Sequence, residues 1–326
     1  MTRAALERHQ VWLYLTSIAL GWLLGRQSPA LAAGLEGLLW PLLAALLFAT
    51  FCQTPLRQSR QSLRNRRFLA LAVIGNFVLL PLLVALLLPW VPQDPAIRLG
   101  VLLVLLVPCT DWFISFTHLG QGATEDAIAF APLSLLLQLL LLPLYLSLFL
   151  GADARTGMDW GAALVQREML LAFGGLILLP LLLAFLTERF AWRSHPPRKA
   201  ALLGALAWLP VPLLALVVGL IAATQAPLLA QSGGILLGLV PVFVAFLLLA
   251  AALARLLGTI WHLPLAQTRV LAFSFGTRNS FVVLPLALAL PPGMELAAAA
   301  IVLQSLVELL GMVLFLWWLP RWRHPS

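Results

Sequence analysis

Few residues in this chain could do chemistry, and most of them fall in two short stretches. The first reads Val107-Pro108-Cys109-Thr110-Asp111-Trp112, at the end of an apolar run that begins at Val101. Pro108 removes a backbone donor and clashes with the preceding turn, and Asp111 places a carboxylate close behind it. The second reads Phe273-Ser274-Phe275-Gly276-Thr277-Arg278-Asn279-Ser280, followed by Pro285. Gly276 and Pro285 permit unwinding there, and Arg278 supplies a rigid fork of donors. A charge inside an apolar span must be paired or face a water-filled cavity, which makes Asp111 and Arg278 candidate site residues. The two either line a solute path or fasten two helices as a buried ion pair, and these roles are compatible.

Glu308 stands by itself in Leu306-Val307-Glu308-Leu309-Leu310. A carboxylate in such surroundings can exist protonated, which suits proton coupling, with a plain hydrogen bond to a neighbouring helix as the blander reading. Cys109 sits beside the first break. A buried cysteine is usually a small hydrophobe, yet its thiolate would favour soft metals and metalloids. Cys52 lies near an arginine run and reads as structural, Glu36 and His118 as interfacial, and Glu125 and Asp126 as acids suited to a helix N-terminus. The sequence contains no HExxH, Walker A or GxSxG motif and no aspartate-rich pair, so hydrolase, ATPase and prenyl-transfer chemistry has no residues to rest on. Neither a cofactor nor a resident metal is expected.

The elements that hold these residues are membrane spans. The 326 residues are 62% hydrophobic and 10% charged, against about 25% charged in soluble domains. Apolar runs place spans near 11–25, 29–51, 68–90, 98–118, 126–150, 166–187, 200–223, 233–257, 267–290 and 295–319. Their length and unbroken apolarity mark helices, since barrel strands alternate over about ten residues. The first run is the weakest, and Ala30-Leu31-Ala32 after it also fits a signal-peptide cleavage site.

Nineteen of the twenty basic residues are Arg, which would hint at nucleic acid in a soluble chain, but here they punctuate the spans. One side holds 15 of them, in groups around Arg3, Arg57 to Arg67, Arg189 to Lys199, Arg255 with Arg269, and Arg321 with Arg323; the other holds Arg26, Arg98, Arg155 and Arg167. That asymmetry predicts cytoplasmic termini and no nucleic-acid partner. The runs Arg57 to Arg67 and Arg189 to Lys199 suit anionic lipid, and Trp160, Trp192, Trp208, Trp317 and Trp318 fit interfacial belts. Trp112, beside Asp111, is placed to shape a pocket.

The spacing suggests two halves. Thr110-Asp111 and Thr277-Arg278 are 167 residues apart, and Gln138 and Gln304 in the following spans are 166 apart. Five spans per half is an odd number, so the halves, about 1–155 and 156–326, would be inverted. Interrupted helices in corresponding places of two such halves point to a secondary carrier's site.

At these residues the chain resembles the bile acid:sodium symporter superfamily, and within it the Acr-type arsenical-resistance permeases. The resemblance covers nearly the whole length and implies an all-α membrane protein in a single transporter domain. It implies ten helices as two inverted five-helix repeats, broken and crossing helices 4 and 9, a panel of spans 1, 2, 6 and 7, and a core of the rest. Asn279 matches the family's Asn in the ninth-span break, and Cys109 and Glu308 match the permease branch's cysteine and glutamate. Sodium-coupled members carry an acid where this chain has Ser274 and a Gln where it has Arg278. Their sodium ligands in spans four and five fall on residues such as Phe113, Ile114 and Pro132, so oxygen ligation of sodium is poorly supported.

The Arg278 guanidinium is instead expected to fill the space of a cation, with Asp111 as its counter-charge. The expected function is therefore efflux of arsenite or a related metalloid by proton antiport, independent of sodium, across the bacterial inner membrane. Cys109, Thr110, Asp111, Thr277, Arg278 and Asn279 would bind the solute, and Glu308 or Asp111 would carry the proton. The alternative is a carrier of a small organic anion with Arg278 on the carboxylate. A membrane enzyme or a sensor is the reading from another class.

Overall fold

The computed structural model describes residues 3–52, 65–110, 112–151, 175, 178–193, 201, 204–224 and 226–323, and all regular elements among them are helices. In chain order they are α1 (Arg3–Gln27), α2 (Pro29–Leu35), α3 (Leu39–Phe51), α4 (Arg66–Ile74), α5 (Leu80–Leu87), α6 (Pro95–Leu105), α7 (Trp112–Leu119), α8 (Thr124–Gly151), α9 (Leu179–Arg193), α10 (Pro210–Thr224), α11 (Ala226–Leu237), α12 (Val240–Ile260), α13 (Leu265–Gly276), α14 (Ser280–Leu288) and α15 (Glu295–Trp318). A π-helical turn, Gly75–Leu79, joins α4 to α5 without breaking the rod.

Among the described residues, five helical stretches are long and apolar enough to cross a membrane: Arg66–Trp90, Thr124–Phe149, Gly204–Thr224, Gly233–Ile260 and Glu295–Arg321. The chain is therefore a multi-pass membrane protein. The expected fourth and ninth spans are each divided into two helices, and the second is interrupted by the 3-10 turn Glu36–Leu38. Much of the expected sixth span lies outside the described residues.

The chain divides into two compact units. The first comprises Met1–Gln53, Arg167–Leu236 and Leu284–Leu290, and the second Thr54–Gln166, Leu237–Val283 and Pro291–Ser326. The first thus gathers the expected spans 1, 2, 6 and 7, and the second nearly all of the others, which is the grouping expected for panel and core.

Within the first unit α1 lies along α10, and α3 packs on both α9 and α10. Gly21 and Gly219 let the backbones of α1 and α10 touch, since a Cβ on Gly21 would overlap the Gly219 carbonyl. Small residues at a membrane helix contact serve this close approach.

Within the second unit α12 packs on α13 and α15, and α15 on α6. Asp94 caps α6 by accepting from the Ile97 N–H at 3.0 Å, with Pro95 in the first turn where a missing N–H costs nothing. The helix stops short of Pro108, and α13 stops at Gly276, after which Thr277 is extended (φ −97°, ψ 135°). Gly276 is packed closely: a Cβ there would stand 2.9 Å from both Met312 and Phe315.

Candidate functional site

Breaking two helices at membrane depth strands backbone groups that hydrocarbon cannot satisfy. The two breaks solve this for each other. Pro108 and Arg278 form an antiparallel β-bridge, in which the Cys109 N–H donates to the Thr277 carbonyl at 3.2 Å and the Asn279 N–H donates to the Val107 carbonyl at 2.8 Å. The proline costs the bridge nothing, because Cys109 and Val107 supply its donor and acceptor. Cys109, Thr110, Thr277, Arg278 and Asn279 are thereby brought together, all buried. Asn279 Nδ2 donates to Thr110 Oγ1 at 3.4 Å, while Thr277 Oγ1 turns back to the Phe273 carbonyl at 2.8 Å. Asp111 lies outside the described residues, and so do the side chains of Trp112 and Glu36.

The bridge leaves one N–H to satisfy, that of Arg278, and it donates to Glu308 Oε2 at 2.9 Å. The same oxygen accepts from Gln304 Nε2 at 2.8 Å, and Gln304 Oε1 accepts from Ser280 Oγ at 3.2 Å. Glu308, solitary in the sequence, is thus a member of a network that ties α15 to the break between α13 and α14. Its partner is a backbone amide thirty residues away, which side-chain spacing does not reveal.

The Arg278 side chain is 2% exposed and reaches into a cluster of oxygens. Nη1 donates to the Leu105 carbonyl at 3.3 Å; Nη2 donates to the Ser274 and Phe275 carbonyls, both at 2.8 Å, and to Asn76 Oδ1 at 3.1 Å. Phe246 of α12 covers the guanidinium with its ring centroid 5.4 Å from Cζ, a cation–π arrangement. Four neutral oxygens from three segments of chain therefore surround one fixed positive charge. Only Nε lacks a partner.

Asn76 was not among the residues that sequence reasoning picked out. It sits in the π-helical turn, and such turns often occur at functional positions. Its Nδ2 donates to Ser274 Oγ at 2.9 Å and to the Ala72 carbonyl at 3.0 Å, which orients Oδ1 toward Arg278. Gly75 beside it makes the approach possible, because a Cβ would overlap the Phe275 ring. The signal in the sequence was a Gly-Asn pair inside an apolar run, with no charge to draw the eye.

Two positions that the resemblance aligns with sodium ligands carry apolar residues. Phe113 is fully buried and meets Phe130 edge-on at 6.2 Å, and Pro132 lies within α8. Asp126 is more than a helix-end acid: its carboxylate accepts from Asn65 Nδ2 at 3.3 Å and from Gln267 Nε2 at 2.9 Å, joining the starts of α4, α8 and α13. His118 is exposed, as are Trp208, Trp317 and Trp318, while Trp160 and the Trp192 side chain lie outside the described residues.

A family model described as Sodium Bile acid symporter family matches residues 40–232. Cys109 and Thr110 fall inside the matched stretch, and Thr277, Arg278, Asn279 and Glu308 beyond it. No curated protein matches the chain.

Proposed function

Because the chain belongs to the Sodium Bile acid symporter family, a family of membrane transporters, we propose that it is a sodium-independent exporter of arsenite or a related metalloid, driven by proton antiport. Ten spans in two inverted repeats would form one transporter domain in the bacterial inner membrane, with both termini in the cytoplasm.

The observation that carries the reading is the environment of Arg278. Carbonyl and amide oxygens are the ligands of a hard cation, and here four of them are engaged by a guanidinium of the chain itself. A charge fixed to the protein does the structural work of a bound ion without depending on an ion gradient. It also commits the donors of Arg278 inward, which weighs against the organic-anion reading. That reading would need the fork to open toward a carboxylate.

Cys109 would supply the soft ligand, and Thr110, Thr277 and Asn279, in the same pair of helix breaks, would orient the hydroxyls of arsenous acid. A single thiolate holds As(III) loosely, which suits a carrier that must release its cargo. Glu308, and Asp111 with it, would exchange the proton.

The experiment is arsenic accumulation in cells that lack their own exporter, with and without external sodium and across external pH. Lower accumulation with the intact chain, unaffected by sodium and dependent on pH, is expected. Transport that follows a sodium gradient and ignores pH overturns the reading. Cys109→Ser should cut metalloid export sharply, whereas an organic-anion carrier would be indifferent to it.

A further inference from the structure

The polar side chains next to the bridge are partnered, but α8 carries two that are not. Ser134 is 0% and Gln138 2% exposed, yet Ser134 Oγ, Gln138 Oε1 and Gln138 Nε2 all lack a hydrogen-bond partner. Four residues apart, they project from one helix face. It is the inward face, shared with buried Phe130 and Tyr145, while Leu136, Leu140 and Leu144 turn outward. A buried polar group left unsatisfied weakens the fold, because its hydration is lost with nothing in exchange. A helical serine can fold back onto a preceding carbonyl to avoid that cost, and Ser134 does not.

The other half of the chain supplies the contrast. Gln304, 166 residues after Gln138, is closed by Ser280 at its oxygen and by Glu308 at its nitrogen. Counting back by the same repeat spacings, Phe113 stands for Ser280 and Leu142 for Glu308, both apolar and both buried. The second half satisfies its glutamine internally; the first half leaves an amide and a hydroxyl open.

We propose that Ser134 and Gln138 form a second solute-binding station, which hydrogen-bonds the hydroxyl groups of a small neutral hydroxy acid. Amide and hydroxyl are uncharged, so a charged guest would give up its hydration for weak dipoles. Hydroxyls both donate and accept, and so match an amide nitrogen that donates, an amide oxygen that accepts and a serine hydroxyl that does either. Arsenous acid and boric acid have this chemistry. The inference rests on the transporter reading above and extends it to a place that uses no sulfur.

The test is thermal unfolding of the purified full-length protein with boric acid and with arsenous acid, for the intact chain, Ser134→Ala/Gln138→Leu and Cys109→Ser. A Gln138→Met version preserves the side-chain length if leucine packs poorly. Without solute the α8 variants should melt at or above the intact temperature, because their unsatisfied atoms are gone. Boric acid should raise the melting temperature of the intact chain and of Cys109→Ser, and about tenfold more should be needed in the α8 variants, the equivalent of about 1.4 kcal/mol. If neither acid shifts the intact chain, or both shift the intact chain and the α8 variants alike, the station does not exist. If the boric acid shift holds but arsenic accumulation is unaffected by the intact chain, the exporter reading fails and the station stands.

Discussion

The backbone N–H of Arg278 donates to the Glu308 carboxylate at 2.9 Å, so the carboxylate we propose as the proton carrier also holds the chain in place at the break between α13 and α14. Any change at Glu308 therefore acts on structure and transport together, and the substitution has to be chosen to separate them. Glu308→Gln retains an oxygen to accept from Arg278 and removes the charge. It should fold with a melting temperature close to the parent's, while export loses its dependence on external pH. Glu308→Leu strands the Arg278 N–H and Gln304 Nε2 and should cost about 1–3 kcal/mol for each. Parallel melting and pH-dependent export assays read the difference.

Removing the guanidinium should expose what it replaces. Arg278→Ala leaves the Leu105, Ser274 and Phe275 carbonyls and Asn76 Oδ1 without their donor, a loss of about 1–3 kcal/mol for each acceptor left unsatisfied. Part of that loss should be recovered in sodium chloride relative to choline chloride, because the vacated oxygens suit a hard cation. The intact protein should melt at the same temperature in both salts. A difference between the salts in the intact protein would argue that the guanidinium does not take the ion's place.

Gly75→Ala tests the route by which Asn76 reaches Arg278. The added methyl would run into the Phe275 ring, and overpacking of this kind costs about 1–3 kcal/mol. Displacing α4 from α13 also draws Asn76 Oδ1 off the guanidinium. The melting temperature and export should fall together, and Gly34→Ala, where a Cβ meets nothing within 4 Å, should change neither.

Cys109→Ser should leave folding almost unchanged. The residue's part in the bridge is its backbone N–H, which donates to the Thr277 carbonyl whatever the side chain. Arsenite export should drop by at least tenfold with the melting temperature held within about a degree. An equal loss of stability and export would make the thiol a packing element.

The places where the helices are interrupted were legible because proline and buried charge are expensive in an apolar span, and Pro108 and Arg278 stand at them. The division of the helices between two units was legible from the family resemblance but not from any spacing. What the sequence hid was the polar wiring. Glu308 pairs with a backbone group, and the amino-acid string records side chains only. Asn76 depends on a π turn, whose single inserted residue leaves no mark in a periodic apolar run. Ser134 and Gln138 look like ordinary polar interruptions until their buried polar atoms prove to have no hydrogen-bond partner.

The contact of α1 and α10 at Gly21 and Gly219 has a mechanical consequence. Where the Gly21 backbone meets the Gly219 carbonyl no side chain intervenes, and one turn away Ser17 Oγ donates to the Ala215 carbonyl, so small sliding drives a carbonyl into the opposite chain and breaks that hydrogen bond. The pair should behave as a single stiff rod. Its amides around Gly21 and Gly219 should be among the last in the first unit to exchange with deuterium, well after those of α2, a helix of only seven residues.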